Sequence, residues 1–255
     1  MNYEKIAKEA RKKVLELIYK AQTSHIGSNF SCIDIMTLLF EKMNLDKDKF
    51  VLSKGWVAAS LYYFLWRKDR ITEKELNSFC QPESKFIGLA ENITKDIMIA
   101  GGSMGLGLPG AVGLALSKKM KKEAGKVYCL MSDGEMQCGT TWESAMIASH
   151  HNLNNLVVIV DSNGLQAMGS TDQILNIEPL ENKWRVFGWH TDVVNGHDFD
   201  AIEESFNLPE DTTQPQIIIT RTVKGKGVSF MANENLYHYK QLSEEEYLKA
   251  LAELK

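Results

Sequence analysis

Residues 131–169 read MSDGEMQCGTTWESAMIASHHNLNNLVVIVDSNGLQAMG. The pattern is a strand end, an acidic turn, a helix, a second strand and a second turn carrying Asn163. Asp133-Gly134 closes one apolar strand, and Ser162-Asn163-Gly164 closes the next. Two oxygen ligands thereby reach the same edge of a parallel sheet, the edge at which open α/β sheets bind ligands. A hard cation such as Mg²⁺ takes oxygen ligands and usually keeps phosphate oxygens in its shell. The segment therefore suggests a metal-anchored diphosphate site. Taken alone, Asp133 reads better as a turn or helix-capping aspartate; Asn163 at the matching place favours the ligand.

Outward from this stretch the pattern alternates. Strands are expected at 126–131, 155–161, 189–195 and 215–221, with helices at 140–151, about 179–187, 198–206 and about 243–254. KVYCLM and NLVVIVD are continuous apolar runs, as expected when helices cover both sheet faces. The order implies right-handed βαβ units, hence an α/β fold with a mostly parallel sheet and helices on both faces. Residues 3–22 have helical periodicity. A loop is expected at 23–28, followed by a helix capped by Ser31 or Asp34 and running to Phe40. Residues 50–53 form a short strand, Gly55 opens a helix, 81–101 are irregular, and GLGLPGAVGLALSKKMKK is a small-residue helix. The only candidate linker is 233–246.

The chain of 255 residues is long enough for one large domain, expected to span 1–255. Its net charge of −4 contains no long run of one sign, so nothing points to nucleic acid or an anionic membrane as partner. There is no apolar run long enough for a membrane span, and the N-terminal helix lacks a signal peptide's apolar centre. Cys32, Cys80, Cys129 and Cys138 form no C-x-x-C pair and read as reduced thiols. Together these features lead us to expect a cytoplasmic protein.

SDGEMQCGTTWESAM and VVIVDSNGLQ resemble the thiamine-diphosphate motif of the transketolase family, most closely the N-terminal half of split transketolases made as two chains. TSHIGSNFSCIDIMTLLF, SKGWVAASLYYFL, GGSMGLGLPGAVGLAL, VVNGHDFDAI and RTVKGKGVSFM resemble further family segments in the family's order. The resemblance implies the thiamine-diphosphate-binding fold. It implies that Mg²⁺ (or Ca²⁺ or Mn²⁺) takes the Asp133 carboxylate, the Asn163 side-chain carbonyl and the Leu165 backbone carbonyl. Gly134 would let the diphosphate approach the backbone, and the helix from about Gly139 would add its positive end. Glu135 is implied as cofactor-binding, and Gly102 and Met104 as contacts of the aminopyrimidine ring, although Met104 reads equally as core. His25 is implied to bind the substrate carbonyl or hydroxyl and assist proton transfer; His238 would sit near diphosphate and substrate. His150 and His151, adjacent at a helix end, read as surface residues. KGKG, residues 224–227, lacks Walker spacing and reads as a flexible turn lining the cleft.

Four positions depart from the family pattern. Ser132 replaces the first glycine of GDG, Trp56 the histidine of SKGH, Leu89 the histidine of GHPE, and Cys138 the glutamate of QEG. Trp56 and Leu89 make the substrate pocket more apolar. A site stripped of hydroxyl-binding donors changes its specificity, so an unusual sugar (deoxy, modified or nucleotide-linked) is expected. Cys138 puts the coupling between cofactor sites in question. The carboxylate that activates the aminopyrimidine belongs to the family's pyrimidine-binding domain. The resemblance therefore implies a second chain, a C-terminal transketolase-like subunit, in an α₂β₂ assembly that moves a two-carbon ketol unit between sugars. The competing expectations are a catalytically silent subunit that stabilises a partner, and an ordinary pentose-phosphate subunit. A nicotinamide-binding dehydrogenase fits poorly, because the glycines of GGSMGLG follow no strong strand.

Overall fold

In a computed structural model of the chain, which describes residues 2–209 and 211–255, the apolar runs pair as parallel strands. These are β1 (Lys49–Leu52), β2 (Val127–Ser132), β3 (Leu156–Ser162), β4 (His190–Asn195) and β5 (Gln216–Arg221), in the order β1-β2-β3-β5-β4. Ser132 pairs with Asp161 and Ser162 with Arg221. Because every pairing is parallel, the carboxyl ends of β1, β2, β3 and β5 open on one edge. The helices are α1 (Tyr3–Ala21), α2 (Ile26–Lys42), α3 (Ala58–Arg67), α4 (Glu73–Asn77), α5 (Gly107–Lys121), α6 (Gly139–His150), α7 (Thr171–Leu175), α8 (Leu180–Val186), α9 (Phe199–Ser205) and α10 (Glu244–Glu253).

Alternation along the strands divides the interior in two. Val157 and Ile159 point into a core shared with α1, α2 and α3. Val158 and Val160 point into a second core with α5, α6, Trp184 and Trp189. This period of two, with both sets fully buried, explains why the strands read as unbroken apolar runs.

The expected strands appear within a residue or two. Helix α2 departs from expectation: it starts at Ile26, well before Ser31 or Asp34. Its polar residues resemble loop composition, but they are buried and bonded internally. Asn29 Nδ2 donates to the His25 carbonyl at 2.8 Å, and Ser31 donates to the Ser28 carbonyl and to Asp161. A helix buried all round has little amphipathic signature. Residues 233–246 are not a linker. They contain a 3₁₀ turn, Asn235–His238, that packs on α2, and Tyr237 and Leu242 are buried. Two short helices, α4 and α7, were not expected. The four cysteines form no disulfide, and no helix among the described residues is long and apolar enough to cross a membrane.

Candidate active site

Where the ends of β1, β2 and β3 converge lies a cleft of about 560 Å³. Asp133 leaves β2 into the 3₁₀ turn Asp133–Gln137 and is buried. Its Oδ1 accepts the Gly134 N–H at 2.8 Å and its Oδ2 accepts the Gly164 N–H at 2.6 Å, which ties the turn after β2 to the turn after β3. Burial first, and the neighbouring Asp161 second, raise its pKa to about 6. It has no salt-bridge partner among the described residues, so a cation would relieve it.

Asn163 Oδ1 accepts the Leu165 N–H at 3.1 Å in a local Asx turn, and the Leu165 carbonyl accepts Lys224 Nζ at 3.1 Å. Among the described residues no group of three or more His, Cys, Asp or Glu gathers as a metal cluster. One buried carboxylate with amide and backbone carbonyls is an oxygen-only donor set, which suits a hard cation sharing phosphate oxygens. The residues therefore fit Mg²⁺. Two cationic side chains add to the case for a diphosphate. Lys54 faces the cleft from the β1 end; Lys224, 1% exposed, comes from the turn after β5 and lies behind the cleft wall, its Nζ against the Leu165 carbonyl and His238 Nδ1. Gln166 Nε2, in the cleft wall, is buried without a hydrogen-bond partner and offers a free donor. A Cβ on Gly134 would lie 3.0 Å from Met104 Cε and 3.3 Å from the Gln166 amide, so glycine keeps this floor open.

The lysines are held differently. Lys54 Nζ pairs with Asp161 Oδ2 and donates to the Ser28 carbonyl at 3.1 Å. Burial opposes its charge, but Asp161 outweighs this and raises its pKa. Burial likewise opposes ionisation of Asp161, yet Lys54 and donors from Ser31 and Thr222 hold it below the usual carboxylate range. For Lys224, burial and then Lys54 lower the pKa to about 8.

His25 and His238 come together. Their ring centroids are 5.0 Å apart, and the His25 N–H donates to the His238 carbonyl at 3.0 Å. His25 occupies a left-handed backbone position (φ 71°) before α2, which aims its ring into the cleft. Its pKa falls to about 4 through burial and then the charge of Lys224. That of His238 falls to about 3 for the same reasons, and both rings are neutral at physiological pH. His238 Nδ1 lies 2.7 Å from Lys224 Nζ. With Lys224 donating, the ring proton of His238 sits on Nε2. Trp56, 47% exposed, stacks on His25 at 5.0 Å and 15°.

The other expected residues fall into place unevenly. Gly102 and Met104 line the cleft, and Met104 is 52% exposed rather than core. Leu89 stands one layer back: it packs behind Gly102, where an added Cβ would meet Leu89 Cδ2 at 2.6 Å. Glu135 lies at the floor, but its oxygens accept from Ser53, from Ser132 (N–H at 2.8 Å) and from the Gly105 N–H at 3.2 Å. Its carboxylate braces the loop before α5. Neither Cys138 nor Gly139 lines the cleft, because the turn Asp133–Gln137 separates the start of α6 from it. KGKG is not a flexible turn lining the cleft: none of its residues lines it, and Lys224 is buried with its Nζ bonded to the Leu165 carbonyl and His238 Nδ1. His150 and His151 are exposed at the end of α6. Lys54, Asp161, Lys224 and Gln166 escaped the sequence reading; a lysine between Ser53 and Gly55 and an acid beside Ser162 were the available signals.

Comparison with known proteins places these features in context. Residues 3–254 match the family model described as transketolase, thiamine diphosphate binding domain. The chain is 33% identical over 254 residues to one of the subunits of the apulose-4-phosphate transketolase of Phocaeicola vulgatus, covering 96% of this chain and 90% of the relative. It is 34% identical over 255 residues to a 6-deoxy-6-sulfo-D-fructose transketolase subunit of a Clostridium species, covering 96% and 93%. The solved transketolase from Campylobacter jejuni superposes with a TM-score of 0.90 at 27% identity. That likeness covers all of this chain but only 43% of the solved one.

Proposed function

The chain belongs to the transketolase family, and from that membership we propose that it is the diphosphate-binding subunit of a two-chain, thiamine-diphosphate- and Mg²⁺-dependent ketol transferase. The observation that carries the reading is the buried Asp133, unpaired with any cation among the described residues, at the cleft edge that Lys54 also lines and that Lys224 backs through Leu165 and His238. Asp133, Asn163 and the Leu165 carbonyl would hold the metal. Lys54, Lys224 and Gln166 would meet the diphosphate oxygens. When bound, thiamine diphosphate supplies the carbanion stabilisation that ketol transfer needs.

The chain's own residues bind, orient and move protons. His25 is a neutral imidazole that can exchange a proton with a sugar hydroxyl or carbonyl oxygen at neutral pH, and His238, also neutral, can donate a hydrogen bond to one. His238 keeps Nε2–H available because Lys224 occupies Nδ1. Trp56 stacks on His25 and puts an indole, a donor only, where an imidazole would have offered an acceptor as well. The carboxylate that activates the aminopyrimidine comes from the pyrimidine-binding domain of a C-terminal partner chain, in an α₂β₂ arrangement with sites at the interfaces.

The substrates are ketoses other than the common pentose phosphates: deoxy or otherwise modified sugars. Trp56, which lines the cleft, supports this, and so do two relatives named for apulose 4-phosphate and 6-deoxy-6-sulfo-D-fructose. The test is ketol transfer by the chain co-expressed with a C-terminal transketolase subunit from the same genome, across a donor panel. Modified ketoses should outpace xylulose 5-phosphate. Equal or faster transfer from xylulose 5-phosphate to ribose 5-phosphate would overturn the substrate assignment. No transfer from any donor, with cofactor bound, would overturn the reaction.

A further inference from the structure

His197 lies in the turn between β4 and α9, in a segment given no role above, and its side chain is 9% exposed. Its Nε2 lies 2.8 Å from the Val223 backbone nitrogen. A backbone N–H can only donate, so Nε2 is the acceptor and the ring proton resides on Nδ1. Nδ1 donates to Asp34 Oδ2 at 2.7 Å. Asp34, buried on α2, is gripped by both terminal Arg11 nitrogens, at 2.8 and 2.7 Å. The remaining Arg11 donor, Nε, reaches the Lys226 carbonyl at 3.0 Å. His197, Asp34 and Arg11 thus engage the turn 222–227 at two backbone points. Its other side is held by Thr222 on Asp161 and by the Gly225 N–H on the Gly27 carbonyl at 3.0 Å. From this turn Lys224 reaches two residues that line the cleft, Leu165 and His238.

We infer that His197, held by Asp34 and Arg11, is a positioning residue: it fixes the Val223 backbone so that Lys224 meets the Leu165 carbonyl and His238. The role of Lys224 at the diphosphate rests on the function proposed above; the clamp on its turn does not. One fixed tautomer is essential, since a proton on Nε2 would leave the half-buried Val223 N–H without its acceptor. His197→Phe removes both bonds at similar volume. His197→Gln restores one, because its Oε1 can accept from Val223.

The test uses the full chain and two readouts. Without ligand, His197→Phe should speed hydrogen exchange of residues 222–227 about tenfold, the weight of one buried hydrogen bond, and leave β3 and β5 protected. His197→Gln should restore most of that protection. With magnesium pyrophosphate as calorimetric probe, His197→Phe should weaken binding about as much as Lys224→Met, and the double variant should lose no more than either. Unchanged exchange in His197→Phe, or additive losses in the double variant, would overturn the inference. If the unsubstituted chain binds no magnesium pyrophosphate, the reading of the cleft fails while the exchange data still decide the clamp. If His197→Phe does not fold, Asp34→Asn should loosen the same turn, and equal exchange in that variant would overturn the inference.

Discussion

Replacing Asp133 by Asn should make the ligand-free chain more stable and abolish its response to metal and diphosphate. Burial and Asp161 raise the Asp133 pKa from 3.8 to about 6. The folded state therefore holds this proton more tightly than the unfolded state. Above about pH 6 the ionised carboxylate costs about 3 kcal/mol, at about 1.4 kcal/mol per pH unit. Asn removes that cost but keeps only one acceptor for the Gly134 and Gly164 N–H groups, which returns roughly 1–2 kcal/mol. The net gain is about 1–2 kcal/mol, or a rise in Tm of roughly 3–6 °C. As pH falls from about 6 toward 3.8 the unsubstituted chain becomes protonated and the difference should shrink. Magnesium pyrophosphate at a hundredfold excess over Kd stabilises the unsubstituted chain by about 2.7 kcal/mol. The order of stability should then reverse. Urea denaturation near pH 7.5, in EDTA and then with magnesium pyrophosphate, measures both. An Asn variant no more stable in EDTA, or one stabilised equally by the ligand, would refute this reasoning.

Three other outcomes follow from the same geometry. His25 protonates at about 4 when folded, against 6.5 when unfolded. Stability should fall as pH drops from about 7.5 to about 5, with about 2 kcal/mol traceable to this residue; His25→Asn, which tolerates the left-handed backbone, should show that much less acid sensitivity in urea melts. Lys54→Met leaves Asp161 charged and fully buried, which should cost about 3–5 kcal/mol and be visible as a lower urea midpoint. Trp56→His puts a smaller ring that can accept as well as donate beside His25, and should raise kcat/KM for xylulose 5-phosphate about tenfold relative to modified ketoses in the reconstituted enzyme.

The strands were legible because a sheet covered on both faces makes every residue of VVIV apolar. Asp133 and Asn163 were legible because parallel strands deliver their following residues to one edge. The buried charges were not. Lys54 and Asp161 are 107 residues apart, and in a one-dimensional reading each looks like a solvated surface charge. Lys224 was hidden the same way in a glycine-flanked run that resembles a mobile turn. Glu135, implied by the resemblance as cofactor-binding, does line the cleft, but its carboxylate oxygens are taken by Ser53, Ser132 and Gly105, partners that no local pattern announces. The start of α2 was missed because Ser28, Asn29 and Ser31 are polar, and only the fold shows that they are enclosed and that Asn29 and Ser31 have internal partners.

Calorimetric titration of thiamine diphosphate into the co-purified two-chain complex, with and without Mg²⁺, reads the assignment of this cleft. Saturable binding that requires Mg²⁺, is lost in Asp133→Asn and is absent from the isolated partner chain is the expected result. Equal binding in the Asp133→Asn complex, or none in the unsubstituted complex with Mg²⁺ present, would contradict it.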